Sequence, residues 1–179
     1  MTWENRGMTT REQADVLVVG AGTVRAEAYR PNPKPLVVVT RSGEVPESLL
    51  AGDLGQVHLA TGSQAPGLAR ARALLGDRVL VLGTAAPDLA ELRAALEDRG
   101  FGNLLCEGGP HLAADLLAAG VVDELCSTVV PTLVGGRHAR ILDGAAPAAL
   151  GDASGIPLEL HSLLESDSTL LARWLVTRP

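Results

Sequence analysis

Short apolar runs recur along the chain, each bounded by glycine, proline or polar residues. DVLVV at 15–19, PLVVVT at 35–40, QVHLAT at 56–61, RVLVLG at 78–83 and NLLC at 103–106 are rich in Val and Leu. They are too short for helices and too continuously apolar for half-exposed strands, which predicts strands buried on both faces. A different period lies between some of them. PGLARARALLG (66–76), APDLAELRAALEDRG (86–100) and PHLAADLLAAG (110–120) read as helices. In the second, Leu89, Leu92 and Leu96 fall at i, i+3 and i+7, with Pro87 and Asp88 as the start and Gly100 as the stop. Buried strands alternating with helices predict an α/β fold, a mainly parallel sheet with helices on both faces. The tail breaks the rhythm. PLELHSLLES and STLLARWLVT meet at Asp167 and Ser168, a strand–turn–strand hairpin, so the sheet is expected to end in antiparallel strands. No repeat or linker interrupts the chain, and Gly- and Ala-rich 144–155 reads as a surface loop. The expectation is a single domain over residues 1–179.

Composition narrows the partners. Apolar residues make up 46% of the chain but aromatic ones only 2%, so the core must be built from Val, Leu and Ala. That scarcity argues against stacking platforms for single-stranded nucleic acid. A net charge of −6 also disfavours a nucleic-acid backbone as partner. No apolar run approaches a membrane span and no signal peptide opens the chain, so a cytoplasmic protein with no membrane partner is expected. Cys106 and Cys126 each sit in an apolar run and read as buried small hydrophobes rather than a disulfide or a nucleophile. His58, His111, His138 and His161 show no metal-ligand spacing, so no metal is expected.

In an open α/β sheet, ligands bind beyond the carboxyl ends of the strands. Three such ends carry unusual residues. In VVGAGTVRAEAYRP (18–31), Gly20 and Gly22 follow a strand and Thr23 is placed to cap the next helix. Arg25 occupies the third-glycine position of the dinucleotide fingerprint, so this stretch is equally a plain tight turn or a phosphate loop. In VVVTRSG (37–43), the strand ends in Thr40, Arg41 and Ser42. An NAD site commonly holds an acid there for the ribose hydroxyl. A cation and two hydroxyls suit a 2′-phosphate instead, or else Arg41 is simply solvated. In LLCEGGPHLAADLLAAG (104–120), Gly108 and Gly109 allow close backbone approach and Pro110 begins a helix whose N-terminus favours an anion. Glu107 would repel that anion. It reads either as an exposed strand-end acid or as the partner of a second, donor-rich ligand.

VLVVGAGTVRAE (16–27) and LLCEGGPHLAADLLAAGVVDELCSTVVPTLVGG (104–136) resemble the reductase domain of riboflavin biosynthesis, which shares the dihydrofolate-reductase fold. The series EGGP…VDEL…P…VGG is long and specific, the likeness runs from about Arg11 to the C-terminus, and VVVTRSG is similar to the superfamily's cofactor strand. The resemblance implies an NADPH-dependent homodimeric reductase. Its substrate would be a phosphorylated ribosylaminopyrimidine, either a 5-amino-6-ribosylaminouracil or a diaminopyrimidinone, reduced at the ribosyl C1′ to the ribitylamino compound. Gly22, Thr23 and Glu27 then match cofactor contacts, Thr40, Arg41 and Ser42 the 2′-phosphate end, and Gly108, Gly109, Pro110, His111 and Leu112 the pyrophosphate helix. Glu107 matches the acid that holds the substrate, Arg11 an arginine on the substrate phosphate, and Pro31 and Lys34 further substrate contacts. The family's usual ADDPRL-like segment reads AEAYRP here. The family also places a central strand and a helix ahead of the first strand found here. Only MTWENRGMTT precedes Arg11, so the domain is expected to lack that first strand. No residue stands out as a general acid. Two other readings stay open: a reductase of the same fold acting on a pterin such as dihydrofolate, and a non-catalytic NADP-binding relative.

Overall fold

The computed structural model describes residues 11–31, 33–136, 138, 140–144 and 155–177. The five apolar runs form strands β1 (Val16–Gly20), β2 (Leu36–Val39), β3 (Val57–Thr61), β4 (Val79–Val81) and β5 (Leu104–Gly108). They pair in the order β4-β3-β2-β1-β5, every neighbouring pair parallel. Helices α1 (Ala21–Ala26), α2 (Leu68–Leu75), α3 (Leu89–Glu97) and α4 (Pro110–Ala118) cover both faces. Leu17, Val19, Leu36, Val38, Val57 and Leu59 pack with Val24 of α1 and Ala71 and Leu75 of α2. On the other face Val16, Val18, Val37, Ala60 and Leu80 meet Leu89, Leu92 and Leu96 of α3 and Leu112 of α4. Two-sided burial is why these strands read as continuous apolar runs rather than alternating ones. The start of α3 follows its sequence signal: Asp88 accepts from the amides of Ala90 and Glu91, both at 2.9 Å.

The remaining strands, β6 (Glu124–Val129), β7 (Leu158–Ser166) and β8 (Thr169–Val176), form a separate antiparallel sheet in the order β6-β8-β7. The β7–β8 hairpin turns at Asp167 and Ser168, whose φ values of 49° and 62° are those of a tight two-residue hairpin turn. Three expectations change here. The antiparallel strands do not continue the parallel sheet: β5 and β6 are each an edge of their own sheet. β6 was not foreseen, because ELCSTV is half polar and lacks the apolar run of the others. Cys106 and Cys126 are free but exposed rather than buried, since each lies on one of those edge strands. A fourth concerns Thr23: α1 starts straight out of β1, with Gly20 at the N-cap and no side-chain cap, and Thr23 lies inside the helix. The expected lack of a first strand concerns residues 1–10, which lie outside the described residues.

Candidate active site

A cleft of about 1040 Å³ opens at the carboxyl ends of β1, β2 and β5. One wall is the turn from β1 into α1, with Gly22, Thr23 and Glu27. The floor is Thr40, Arg41 and Ser42 after β2, and the opposite wall is Gly108, Gly109, Pro110, His111 and Leu112. Three segments far apart in sequence thus meet because their strands are neighbours. The segment before α3 adds Ala86 and Pro87, a side of the cleft with no signal in the sequence.

The glycines have specific reasons to be there. Gly109 has φ +82°, and a Cβ on it would lie 2.7 Å from Thr23 Oγ1. A Cβ on Gly108 would crowd the same side chain at 3.2 Å. Gly22 faces open space: a methyl there would have nothing within 4 Å. Pro110 is the first residue of α4, whose first turn holds no acid, so the positive dipole end of the helix faces the cleft. His111 Nδ1 and the Asp143 carbonyl are 2.8 Å apart and the Asp143 amide donates to the Pro110 carbonyl at 3.2 Å, which seats Gly144 at the rim. At the β2 end the hydroxyls of buried Thr40 and of Ser42 are 3.2 Å apart. Arg41 reaches across to Asp115 of α4, Nη2 to Oδ2 at 3.1 Å. The glycine cradle, the helix start and the hydroxyl-and-cation end suit a dinucleotide's phosphates.

Glu107 stands beside this cleft for a structural reason. Val18 pairs with Cys106 but Val19 pairs with Gly108, so Glu107 is the extra residue of a β-bulge in a parallel pair. Bulges re-aim a side chain out of the strand's alternation. The start of β5 is pinned to β1 by Asp15, whose carboxylate accepts from the amides of Gly102 at 2.9 Å and Asn103 at 2.8 Å. Glu107 then meets two residues from outside β5, Arg11 ahead of β1 and Tyr29 just past α1. Arg11 donates to both carboxylate oxygens, through Nε to Oε1 and Nη2 to Oε2. The Tyr29 hydroxyl donates to Oε2 at 2.9 Å. Burial alone would raise the Glu107 carboxyl, but the hydrogen bonds from Arg11 and Tyr29 and the nearby guanidinium charge outweigh it and hold it below the usual carboxylate range. Burial first, then the bond to Glu107, pushes the Tyr29 phenol up to about 12.

Tyr29 was missed as a candidate site residue; AEAYRP marks only where this chain departs from the pattern of the family it resembles. The available signal was composition, for it is the only tyrosine in the chain. Its position follows from the end of α1. The Tyr29 amide bonds the Val24 carbonyl at 3.0 Å across Ala28, whose φ is +49°. That is a Schellman turn with alanine where glycine is favoured. The other two expected substrate positions make contacts of their own. The Lys34 ammonium donates to the backbone carbonyls of Glu12 and Ala14, fastening the segment after Arg11. Pro31 packs against Gly52, at 3.2 Å from a Cβ position there. Among the described residues, no group of three or more His, Cys, Asp or Glu stands together as a metal site, and no helix is long and apolar enough to cross a membrane.

A parallel sheet covered on both faces, a separate antiparallel sheet and a large cleft at the strand ends define an α/β domain of the dihydrofolate-reductase-like class. Residues 3–168 match the model of the RibD C-terminal domain, and the chain belongs to that family. It is similar to the 2,5-diamino-6-ribosylamino-4(3H)-pyrimidinone 5′-phosphate reductase of Methanothermobacter thermautotrophicus, with 30% identity over 169 residues, 88% of this chain and 78% of that protein. In fold it is similar to a pyrimidine reductase-like protein from Corynebacterium diphtheriae, with a TM-score of 0.77, 23% identity, and 94% and 78% of the two chains covered. It also resembles the riboflavin biosynthesis reductase Rib7 of Saccharomyces cerevisiae, with a TM-score of 0.63, 16% identity, and 93% and 77% covered.

Proposed function

We propose that this chain is a pyrimidine reductase of riboflavin biosynthesis. It reduces the ribosyl side chain of a phosphorylated 5-amino-6-ribosylaminouracil, or of the corresponding diaminopyrimidinone, to the ribitylamino compound with NADPH. Family membership and the name of the archaeal relative support the reaction class. One observation carries the reading of the site: a bulge aims an ionised Glu107 beside, and not into the wall of, a glycine-lined cleft. Two ligands of opposite character are thereby accommodated, an anionic dinucleotide on the backbone and a donor-rich pyrimidine on the acid.

When bound, a nicotinamide cofactor supplies the hydride, and the substrate's ribosyl C1′ as the ring-opened imine is its acceptor. The protein positions and shields. The amides at the start of α4 face the pyrophosphate, and Gly108 and Gly109 let backbone come close to it. Arg41, Thr40 and Ser42 receive the 2′-phosphate, which is the reason to favour NADPH over NADH. Arg41 exchanges Asp115 for that phosphate. Glu107 accepts from the pyrimidine donors, and Arg11 meets the substrate's 5′-phosphate. We also read the chain as one domain and as a cytoplasmic homodimer, a reading supported by the family resemblance and by Leu160 and Leu163 lying 47% and 51% exposed on β7.

The test is NADPH oxidation with the phosphorylated ribosylaminopyrimidines and, in parallel, with dihydrofolate. Turnover of a pyrimidine and none of dihydrofolate is expected. Turnover of dihydrofolate alone would make this a pterin reductase, and NADPH binding without either reaction would make it a non-catalytic relative.

A further inference from the structure

Glu107 is the proposed acceptor for the pyrimidine, yet both of its oxygens are already engaged. Oε1 takes the Arg11 Nε–H, and Oε2 takes Arg11 Nη2 together with the Tyr29 hydroxyl. Each carboxylate oxygen offers about two acceptor positions, so among the described residues the donors fill Oε2 and leave one position on Oε1. A ring with neighbouring N–H donors finds no two-point partner while Arg11 stays in place. The two halves of the ion pair are held very differently. The Arg11 side chain is 60% exposed, against 16% for Glu107. Glu107 is fixed by the bulge and by Tyr29, whereas Arg11 lies over the edge of the cluster, its guanidinium 5.9 Å from the Tyr29 ring centre. Of the pair, the exposed arginine is the less tightly held partner.

We propose that Arg11 is a removable cap on Glu107, and is thereby the residue that ties recognition of the pyrimidine to recognition of the phosphate. The inference rests on Glu107 being the pyrimidine acceptor. A phosphate monoester carries up to about two negative charges and three acceptor oxygens, so it competes for a guanidinium that a single carboxylate holds at the surface. A phosphorylated substrate draws Arg11 away and opens both oxygens to the ring. Tyr29 remains on Oε2, its backbone locked by the turn at Ala28, so the uncovered carboxylate keeps its aim. A dephosphorylated compound brings the same ring but nothing that competes for Arg11. The phosphate therefore acts twice, through its own contact and by uncovering the acceptor. Because binding couplings are reciprocal, phosphate and ring each strengthen the other's hold.

Arg11→Ala assayed with phosphorylated and dephosphorylated substrate separates this from simpler roles. A residue that only grips phosphate leaves the dephosphorylated compound unaffected, and a structural residue worsens both. A cap predicts opposite signs: KM rises for the phosphorylated compound and falls for the dephosphorylated one, by about two- to fivefold, the size of a partly exposed ion pair. In the wild type, inorganic phosphate should tighten binding of the dephosphorylated compound, and in Arg11→Ala it should not. An unchanged or raised KM for the dephosphorylated compound in Arg11→Ala, or no effect of phosphate on the wild type, overturns the cap. If the wild type reduces neither compound, the functional reading fails separately. The cap is then judged on the protein alone: inorganic phosphate must shift the magnetic-resonance signal of the Arg11 Nε–H, and a signal that stays in place refutes it.

Discussion

The glycine-lined cleft and the Glu107 cluster sit at the ends of the same two strands, β1 and β5, but are made of opposite materials. The cleft's two walls rest on glycine backbone and a helix start. Its glycines remove side chains, and the first amides of α4 have no partner within the helix. The cluster is all side chain, and its members satisfy one another: carboxylate, guanidinium and phenol close a small network. On the proposed reading, a dinucleotide would meet a surface ready for it, except at Arg41, whose exposed ion pair with Asp115 would have to be exchanged. A substrate at Glu107 must first break something. General affinity for a cofactor belongs to the first kind of site, and discrimination between substrates belongs to the second.

The largest expected effects on dinucleotide binding and stability fall on the backbone half. Gly109→Ala puts a side chain at positive φ and against Thr23, so it should cost about 1–3 kcal/mol of stability. It should also weaken dinucleotide binding about tenfold or more, 1.4 kcal/mol being a factor of ten. Gly22→Ala is its control: a methyl there meets nothing among the described residues and alanine suits α1 better than glycine, so the melting temperature should hold or rise while a dinucleotide is still crowded. Equal melting of both variants would show that the cradle at Gly109 is not tightly packed. Arg41→Ala comes next. Loss of a charged hydrogen bond at this exposed position should cost NADPH about 1.5 kcal/mol, the lower end for such bonds, and NADH almost nothing. Asp115→Asn should move NADPH affinity the opposite way by freeing Arg41. A parallel loss of both dinucleotides in Arg41→Ala would return Arg41 to the scaffold.

Smaller effects sharpen the side-chain half. Ala28→Gly relieves a left-handed alanine in the turn that aims Tyr29, so it should stabilise the fold by about 1 kcal/mol. A lower melting temperature would contradict the Schellman geometry. Titration supplies the mildest test. Glu107 is held below its ordinary value, so its stabilisation is present above the unfolded carboxylate pKa and lost as pH falls through the depressed folded one. The stability gap between wild type and Glu107→Gln should shrink on acidification. Tyr29 has the reverse sign. Raised from 10.0 to about 12, it stabilises fully below 10.0 and loses that contribution as pH rises toward 12. As the sole tyrosine, it can be followed by tyrosinate absorbance, and a midpoint at the ordinary value would detach it from Glu107.

The parallel half of the fold was legible because two-sided burial writes itself as unbroken Val and Leu runs, and α3 because its leucines and Asp88 cap follow rules of local spacing. β6 was not, since an edge strand in an antiparallel sheet needs no such run. The positions lining three sides of the cleft could be read from strand ends that carry glycines, hydroxyls and an arginine, but not the side formed by Ala86 and Pro87. Two features of Glu107 could not. A bulge is a mismatch in register between β1 and β5, and nothing in either strand alone announces it. The bond from Tyr29 depends on a left-handed turn at Ala28, where sequence rules look for glycine. Arg11 and Glu107 were each picked out separately, but their union is a tertiary fact 96 residues long.

The two-ligand site is tested most directly by Glu107→Gln, measured for NADPH dissociation constant and substrate KM on the same preparation. NADPH binding should stay within about twofold, while substrate use falls by roughly 10- to 150-fold, the loss of a charged hydrogen bond worth about 1.5–3 kcal/mol. Impaired NADPH binding with unchanged substrate KM and kcat would put Glu107 in the dinucleotide's site and contradict the division of the two halves.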